Sequence, residues 1–448
     1  MELLPKVLLL IDTIQIFVLS LFAKRVKSRM RSIDNTDSSA ALEQSNRAKP
    51  GWLFVLPWSL QLVAGGGVNE VVKALIREFR DGGVYSTHLL ISSEAPESGA
   101  TAGPELIRPY RLNLWSPIHK KHPVRGLFSF VYRLPYRCWA VRRLIHRHNI
   151  EVINAQFPGL GCLLFIVLKW LHLFKGKIIL SFHNSDVTNA LGSTGLERRF
   201  WRLLLRHADR LILVSNSLAG DLLAIEPGVA DKLTTIYNGV DLGLFAFPDG
   251  VEVPLPQHSG PTVISVASFL PIKGHDVLVR ALSIVVEKIP NVRLVLVGHD
   301  GPVFKEILPL IDKLSLGERV LMYKDVSHER IPAYLAQAQL FVLASHREGH
   351  PLALIEAGAA GLPVVCTRAI GSIELISDKI TGRIVDVGDE HALAEAMIDL
   401  LTHPQESQQM ARRFHDYIQS NLTWRKTYQG YLQVARDGSV QSPPAQRQ

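Results

Sequence analysis

From Trp52 onward the chain alternates short apolar runs with amphipathic stretches. "GWLFVLP" reads as a strand, "WSLQLVAGGGVNEVVKALIREFRDGG" as a glycine-rich turn, a helix and a glycine stop, and "STHLLISS" as the next strand. Val68, Val71, Val72 and Leu75 fall on one face of that helix. The pattern continues through "IEVINAQ", an apolar helical stretch from Leu160 to Leu173, "KIILSFHNSD", a helix around Leu196 to His207, and "DRLILVSNS". Strands interleaved with helices predict an α/β fold with parallel sheets covered on both faces. A proline- and glycine-rich segment, Phe245 to Pro261, separates this series from a second one, "TVISVAS" to "PVVCT". The expectation is two doubly wound, Rossmann-like domains, residues 51–245 and 246–420, facing across a cleft, where strand carboxyl ends place ligands. Residues 421–448 are expected to form a C-terminal helix packing back toward the first domain, and a tail disordered from Pro443.

Residues 1–50 have a different character. Val7 to Ala23 is apolar but carries Asp12 and Gln15, and "KRVKSRMR" follows it. The run is short for a bilayer span and lacks a signal-peptide cleavage pattern, so it reads as a membrane anchor or interfacial segment with its basic flank in the cytoplasm, followed by a polar linker. Three scattered cysteines among 448 residues, Cys138, Cys162 and Cys366, make neither a disulfide framework nor a metal spacing. A net charge of +8 favours anionic partners.

The chemistry concentrates in "SHREGHPLALIEAGAAGLPVV". A strand, "LFVLAS", ends in a loop, and Pro351 opens a helix that Gly361 and Pro363 close about three turns later. Free N–H groups at such a helix start form an anion site. Glu348 and Glu356 cannot themselves bind phosphate; they are acceptors for hydroxyls on either side of it, the layout of a sugar nucleotide. Taken alone, each could equally be a solvated acid, and Lys273 in "SFLPIKGHD" a solvated loop charge.

The motif array resembles retaining glycosyltransferase family 4, with the GT-B fold. "EGHPLALIE" carries the family's two glutamates, and "VASFLPIKGHD", "VLVGHDGP", "AIGSIELI", "TGRIVDVGD", "GGGVNEVVKAL", "SFHNSD" and "IYNGVDLGLF" extend the likeness from about Leu53 to Ala435. The resemblance implies that Glu348 contacts the transferred sugar and Glu356 the ribose. It implies that the backbone from Gly349 through His350 and Pro351 to Leu352 meets the diphosphate, with Lys273 neutralising charge on the leaving group. It places His183 at the sugar, followed by Asn184 where the family often has glycine, and Asn238 on the substrate; the turn Gly65, Gly66 and Gly67 reads either as backbone that approaches the donor phosphate or the acceptor, or as a plain tight turn. Ser268 stands where the family commonly has arginine, and Arg347 is the candidate substitute cation. The donor expected is a nucleotide-diphospho-sugar, with no cofactor and no metal, because no Asp-x-Asp pair stands out and Lys273 and the helix start serve the phosphates. The leaving diphosphate would help deprotonate the acceptor on the same face.

Between Ile107 and Ile150 there is no acid, while arginines and lysines alternate with aromatics. That mixture suits nucleic acid or an anionic membrane surface, and the apolar N-terminus favours the membrane over nucleic acid. The expected acceptor is a lipid-linked or oligosaccharide glycan in polysaccharide or lipopolysaccharide assembly at the cytoplasmic face of the inner or plasma membrane. The competing readings are a related sugar-nucleotide epimerase or hydrolase, and a non-catalytic sugar-nucleotide-binding scaffold.

Overall fold

Strand β1 (Gly51–Leu56) is buried along its whole length and sends alternate side chains to opposite sides. Leu53 and Val55 join one core cluster; Trp52, Phe54 and Leu56 join another. This period of two, apolar on both faces, is what a central parallel strand requires. The computed structural model describes residues 49–58, 66–92, 109–118, 123–246 and 255–436. The apolar segment 7–23, Gly65, part of the linker and the C-terminal tail lie outside the described residues.

The first sheet has the order β3-β2-β1-β4-β5-β6-β7 among the described residues, with all neighbours parallel. Its other strands are β2 (Ser86–Ile91), β3 (Tyr110–Arg111), β4 (Ile150–Gln156), β5 (Lys177–Phe182), β6 (Arg210–Leu213) and β7 (Leu233–Thr235). The second contains β8 (Thr262–Val266), β9 (Arg293–Gly298), β10 (Val320–Lys324), β11 (Leu340–Leu343), β12 (Val364–Thr367) and β13 (Arg383–Val385). They are ordered β10-β9-β8-β11-β12-β13 and again parallel. Both sheets reverse their winding, at β1/β4 and at β8/β11. Such switch points open a crevice at the strand carboxyl ends.

The helices that position the site are α1 (Gly66–Gly82), α2 (Pro123–Arg147), α3 (His275–Lys288), α4 (Leu352–Ala359), α5 (Pro404–Asn421) and α6 (Trp424–Arg436). In α1, Val71, Val72, Leu75, Ile76 and Phe79 are buried, which is the face expected from the sequence, extended by a turn. Helix α4 spans eight residues rather than the three turns expected, because Gly361 already takes a left-handed conformation at φ 73°. Pro351 precedes the helix as its cap residue instead of occupying its first turn.

Helix α6 packs on the first domain. Tyr428, Tyr431 and Val434 of α6 enter the cluster built on Trp52 and Phe79. The Tyr428 ring meets Phe79 edge-on at 4.8 Å, and Lys177 Nζ donates to the Ala435 carbonyl at the helix end. At the domain boundary the buried Glu374 carboxylate accepts from the Asn216 and Ser217 amides, the Ser217 hydroxyl and the Tyr237 hydroxyl. A carboxylate of the second domain thereby caps the short helical turn Asn216–Leu218 of the first.

Candidate functional site

The two switch points face each other across a cleft of about 510 Å³, within the range of small-molecule sites. Of the residues singled out in the sequence, Gly66, Gly67, His183 and Asn238 from the first half, and Ser268, Lys273, Glu348, Gly349, His350, Pro351, Leu352 and Glu356 from the second, border it, and Arg347 does not.

The loop after β11 is the floor. Glu348 is buried, and one oxygen, Oε1, receives both Lys273 Nζ at 2.7 Å and Ser345 Oγ at 2.6 Å. Lys273 reaches it from the single turn Pro271–Lys273 that joins β8 to α3. Leu352 and Ala353 at the start of α4 border the same cleft, and among the described residues no side chain caps that helix start. Gly349 has no room for a side chain: a Cβ there would lie 1.8 Å from the His183 carbonyl oxygen. The two domains therefore touch backbone to backbone beside Glu348. Asn238 reinforces this loop, its Nδ2 donating to the His350 carbonyl at 3.4 Å. The His350 ring stacks on Tyr237 with centroids 5.0 Å apart. Burial pushes that imidazole down to about 3, so it is neutral.

Glu356, which also borders the cleft, is held by a residue the sequence did not single out. His328 Nε2 lies 2.7 Å from Glu356 Oε1, and its Nδ1 lies 3.4 Å from Glu70 Oε2 on α1. Glu70 in turn binds Lys73 at 2.7 Å. This histidine bridges the domains. Burial alone would lower its pKa, but the Glu356 hydrogen bond and the charges of Glu356, Glu70 and Glu329 outweigh burial and raise it. Asn69, Phe157, His299 and Asp325 also border the cleft. "VNEVVK" and "VSHER" hold Glu70, Lys73 and His328, but no spacing rule links segments so far apart.

His183 sits after β5, where Asp186 accepts its amide and those of Asn184 and Val187. Burial raises Asp186 to about 6 despite these bonds, so its place is structural. His183 Nε2 is 2.8 Å from Gln156 Oε1, within a buried network of Asn154, Ser181 and Tyr431. Since an amide oxygen only accepts, Nε2 carries the proton. Burial lowers the ring to about 4, so His183 offers the cleft a neutral imidazole, not a cation. Asn184 takes φ 157° and ψ −71°, a backbone position native to glycine.

Arg347 does not supply the phosphate cation suggested by Ser268. Its Nε donates to Asn184 Oδ1 at 2.9 Å and its Nη2 to Asp221, so the guanidinium is spent on a clasp to the first domain. Of the lysines and arginines, Lys273 and Lys73 border the cleft among the described residues. Likewise among the described residues, no group of three or more His, Cys, Asp or Glu side chains is arranged to hold a metal ion.

Comparison with known proteins decides the family. The model for glycosyl transferases group 1 matches residues 252–417, and that for glycosyltransferase family 4 matches residues 65–244. The chain belongs to the group 1, family 4 glycosyltransferases. Among curated family 4 relatives it is 26% identical over 336 residues to the N-acetyl-alpha-D-glucosaminyl L-malate synthase of Bacillus anthracis, covering 73% of this chain and 87% of that protein. It is 25% identical over 374 residues to a GDP-mannose-dependent alpha-(1-6)-phosphatidylinositol monomannoside mannosyltransferase of Mycolicibacterium smegmatis, covering 80% and 92%. The GT-B fold is shared with sucrose-phosphate synthase from Thermosynechococcus elongatus, at TM-score 0.69 and 22% identity over 86% of this chain and 98% of the other. It is shared equally with Anabaena HepE in complex with UDP, at TM-score 0.67 and 18% identity over 86% and 99%. In this glycosyltransferase the two family glutamates border one cleft together with the start of α4, each held by a different cation-bearing partner, Lys273 or His328.

Proposed function

We propose that this glycosyltransferase moves a sugar, with retention at the anomeric carbon, from a nucleoside-diphosphate sugar to a lipid-linked or oligosaccharide acceptor in polysaccharide or lipopolysaccharide assembly at the cytoplasmic face of a membrane. The observation that carries the donor is the Lys273–Glu348 pair in one cleft with the start of α4 and Glu356. The diphosphate seats on the first amides of α4 and draws Lys273. Glu348, freed, accepts sugar hydroxyls, and Glu356 accepts the ribose. The acceptor oxygen bonds to the anomeric carbon as the bond to the diphosphate breaks, and the acceptor's proton passes to a diphosphate oxygen on the same face. Lys273 and the amides stabilise the charge that develops there. The relatives named for mannosyl and glucosaminyl transfer support the reading, as does the UDP in a structure of the same fold.

A panel of UDP-, GDP- and ADP-sugars tests it by donor hydrolysis and by transfer to lipid-linked acceptors. One donor class should turn over equally well with and without chelator and give a product of unchanged anomeric configuration. An inverted product, or activity lost to chelator and restored by Mg²⁺ or Mn²⁺, would refute retention or metal independence respectively. Donor binding with no turnover on any acceptor, and a silent Glu348→Ala, would leave a binding scaffold.

The His328 bridge gives a pH signature. A pKa raised on folding means that the charged ring stabilises the bridged fold fully below its ordinary value of 6.5, and the gain fades as pH rises through the raised value. Donor binding takes Glu356 from His328, so its slope is opposite: affinity should rise with pH across that window. The groups facing His328 are Glu356 on α4, Glu70 on α1, to which Lys73 is bound, Glu329 beside it and the Phe245 ring. Calorimetry with an intact nucleotide sugar, whose diphosphate has no proton to lose here, should show the slope in the wild type and a flat profile in His328→Ala. Equal slopes in both proteins would exclude the bridge.

A further inference from the structure

The four most exposed large apolar side chains among the described residues are Val124, Phe128, Tyr132 and Tyr136, at 80, 72, 69 and 60% exposure. They recur every four residues along α2, which places them in one line on its outer surface. The opposite face, with Phe130, Cys138, Val141, Leu144 and Ile145, is buried in the first domain's core. The aromatics of this segment therefore divide: Phe130 is a core residue, and the stripe is not.

The exposed face is cationic as well. Arg125, Arg133, Arg142, Arg143 and Arg147 are exposed on α2, and no acid occurs between Ile107 and Ile150. Arg133 lies over the Trp115 ring at 4.4 Å, so its apolar stem and its charge are presented together. Three further features narrow the partner. None of the four stripe residues lines either of the cavities found among the described residues. It is lined by a ring-bearing side chain at each of three turns, whose amphipathic rings suit the boundary between head groups and acyl chains. Its helix returns antiparallel to β4, whose last residue, Gln156, joins the His183 network at the cleft. The aromatic end of α2 consequently lies on the cleft side of the domain, and the arginine-rich end on the far side.

We infer that the outer face of α2 is a peripheral membrane-docking surface that seats on an anionic phospholipid bilayer, with Val124, Phe128, Tyr132 and Tyr136 entering the interface and the arginines meeting phosphate head groups. The surface stands independently of the donor reading. It deepens the lipid-linked acceptor reading by bringing the cleft mouth to the layer where such an acceptor resides.

The test is flotation of the full chain with vesicles of phosphatidylglycerol and phosphatidylethanolamine, against phosphatidylcholine alone. The wild type should float with the anionic vesicles more strongly than with phosphatidylcholine, and salt should remove that preference. The combined Phe128→Ser, Tyr132→Ser, Tyr136→Ser variant changes exposed side chains only, and its partitioning should fall roughly tenfold or more. Arg142→Gln, Arg143→Gln, Arg147→Gln should lose most of the preference for anionic lipid. Donor hydrolysis should be unchanged in both variants, which separates this result from any failure of the proposed reaction. Undiminished flotation of the serine variant would overturn the inference. So would preferential binding of the wild type to a single-stranded oligonucleotide, or a wild-type dimer that the serine variant splits without any change in flotation.

Discussion

Lys273→Ala should lower turnover by about a hundredfold or more while leaving the fold intact, as loss of a preorganised charge at a leaving group typically does. The size follows from scarcity. Where the family commonly has a second cation this chain has Ser268, and the other candidate, Arg347, is tied to Asn184 and Asp221. Lys73, across the cleft, is bound to Glu70, which also faces His328. The developing charge thus has one cation and the amides of α4. In the resting protein Lys273 also neutralises Glu348, whose Oε1 would keep only the Ser345 hydroxyl. Glu348→Gln should likewise cost turnover, and the double variant should cost little more than the worse single one, because the pair acts as a unit. Steady-state kinetics on the accepted donor, with circular dichroism as a check on folding, reads both effects. Turnover of Lys273→Ala within a few-fold of wild type would remove this lysine from the reaction.

Glu374→Ala should be the most damaging change outside the cleft. One buried carboxylate serves two backbone amides and two hydroxyls of the other domain. Removing it strands those donors where water is scarce, and hydrogen bonds to a charged acceptor are worth about 1.5–3 kcal/mol each, not additively. A loss of about 3 kcal/mol corresponds to a fall of roughly 6–12 °C in Tm for a domain of this size. Thermal unfolding and limited proteolysis across residues 214–237 report the loss, and Glu374→Gln should recover part of it through its amide oxygen. A Tm unchanged within about a degree would mean that the boundary is held elsewhere.

Much of this was readable in the chain because the relevant signals are local. The period of two in "GWLFVL", the apolar face of α1 and the strand-loop-helix around Glu348 each depend on neighbours within one or two elements. The cleft residues follow from the same logic, since strand carboxyl ends converge once the sheets are parallel. The bridge from Glu356 through His328 to Glu70 was not readable, because it joins three elements whose meeting is set by domain packing. Arg347 is a similar case: its loop was legible, but the direction of its guanidinium depends on Asp221 of the other domain. The stripe on α2 was half visible. Its spacing of four is written in the sequence, but Phe130 and Trp139 lie in the same window, and only packing on the first domain's core shows which aromatics face outward.

The path of α6 bears on how this enzyme can be rebuilt. The first domain is closed by residues that arrive after the second is complete: Tyr431 reaches the same buried network as His183, and Tyr428 lies against Phe79. The first domain is therefore a discontinuous unit. A chimera that exchanges halves with a relative at the linker would join one protein's α1 to another's α6 and mismatch the core at Trp52. Halves can be traded only by cutting the chain twice, once near the linker and again between α5 and α6.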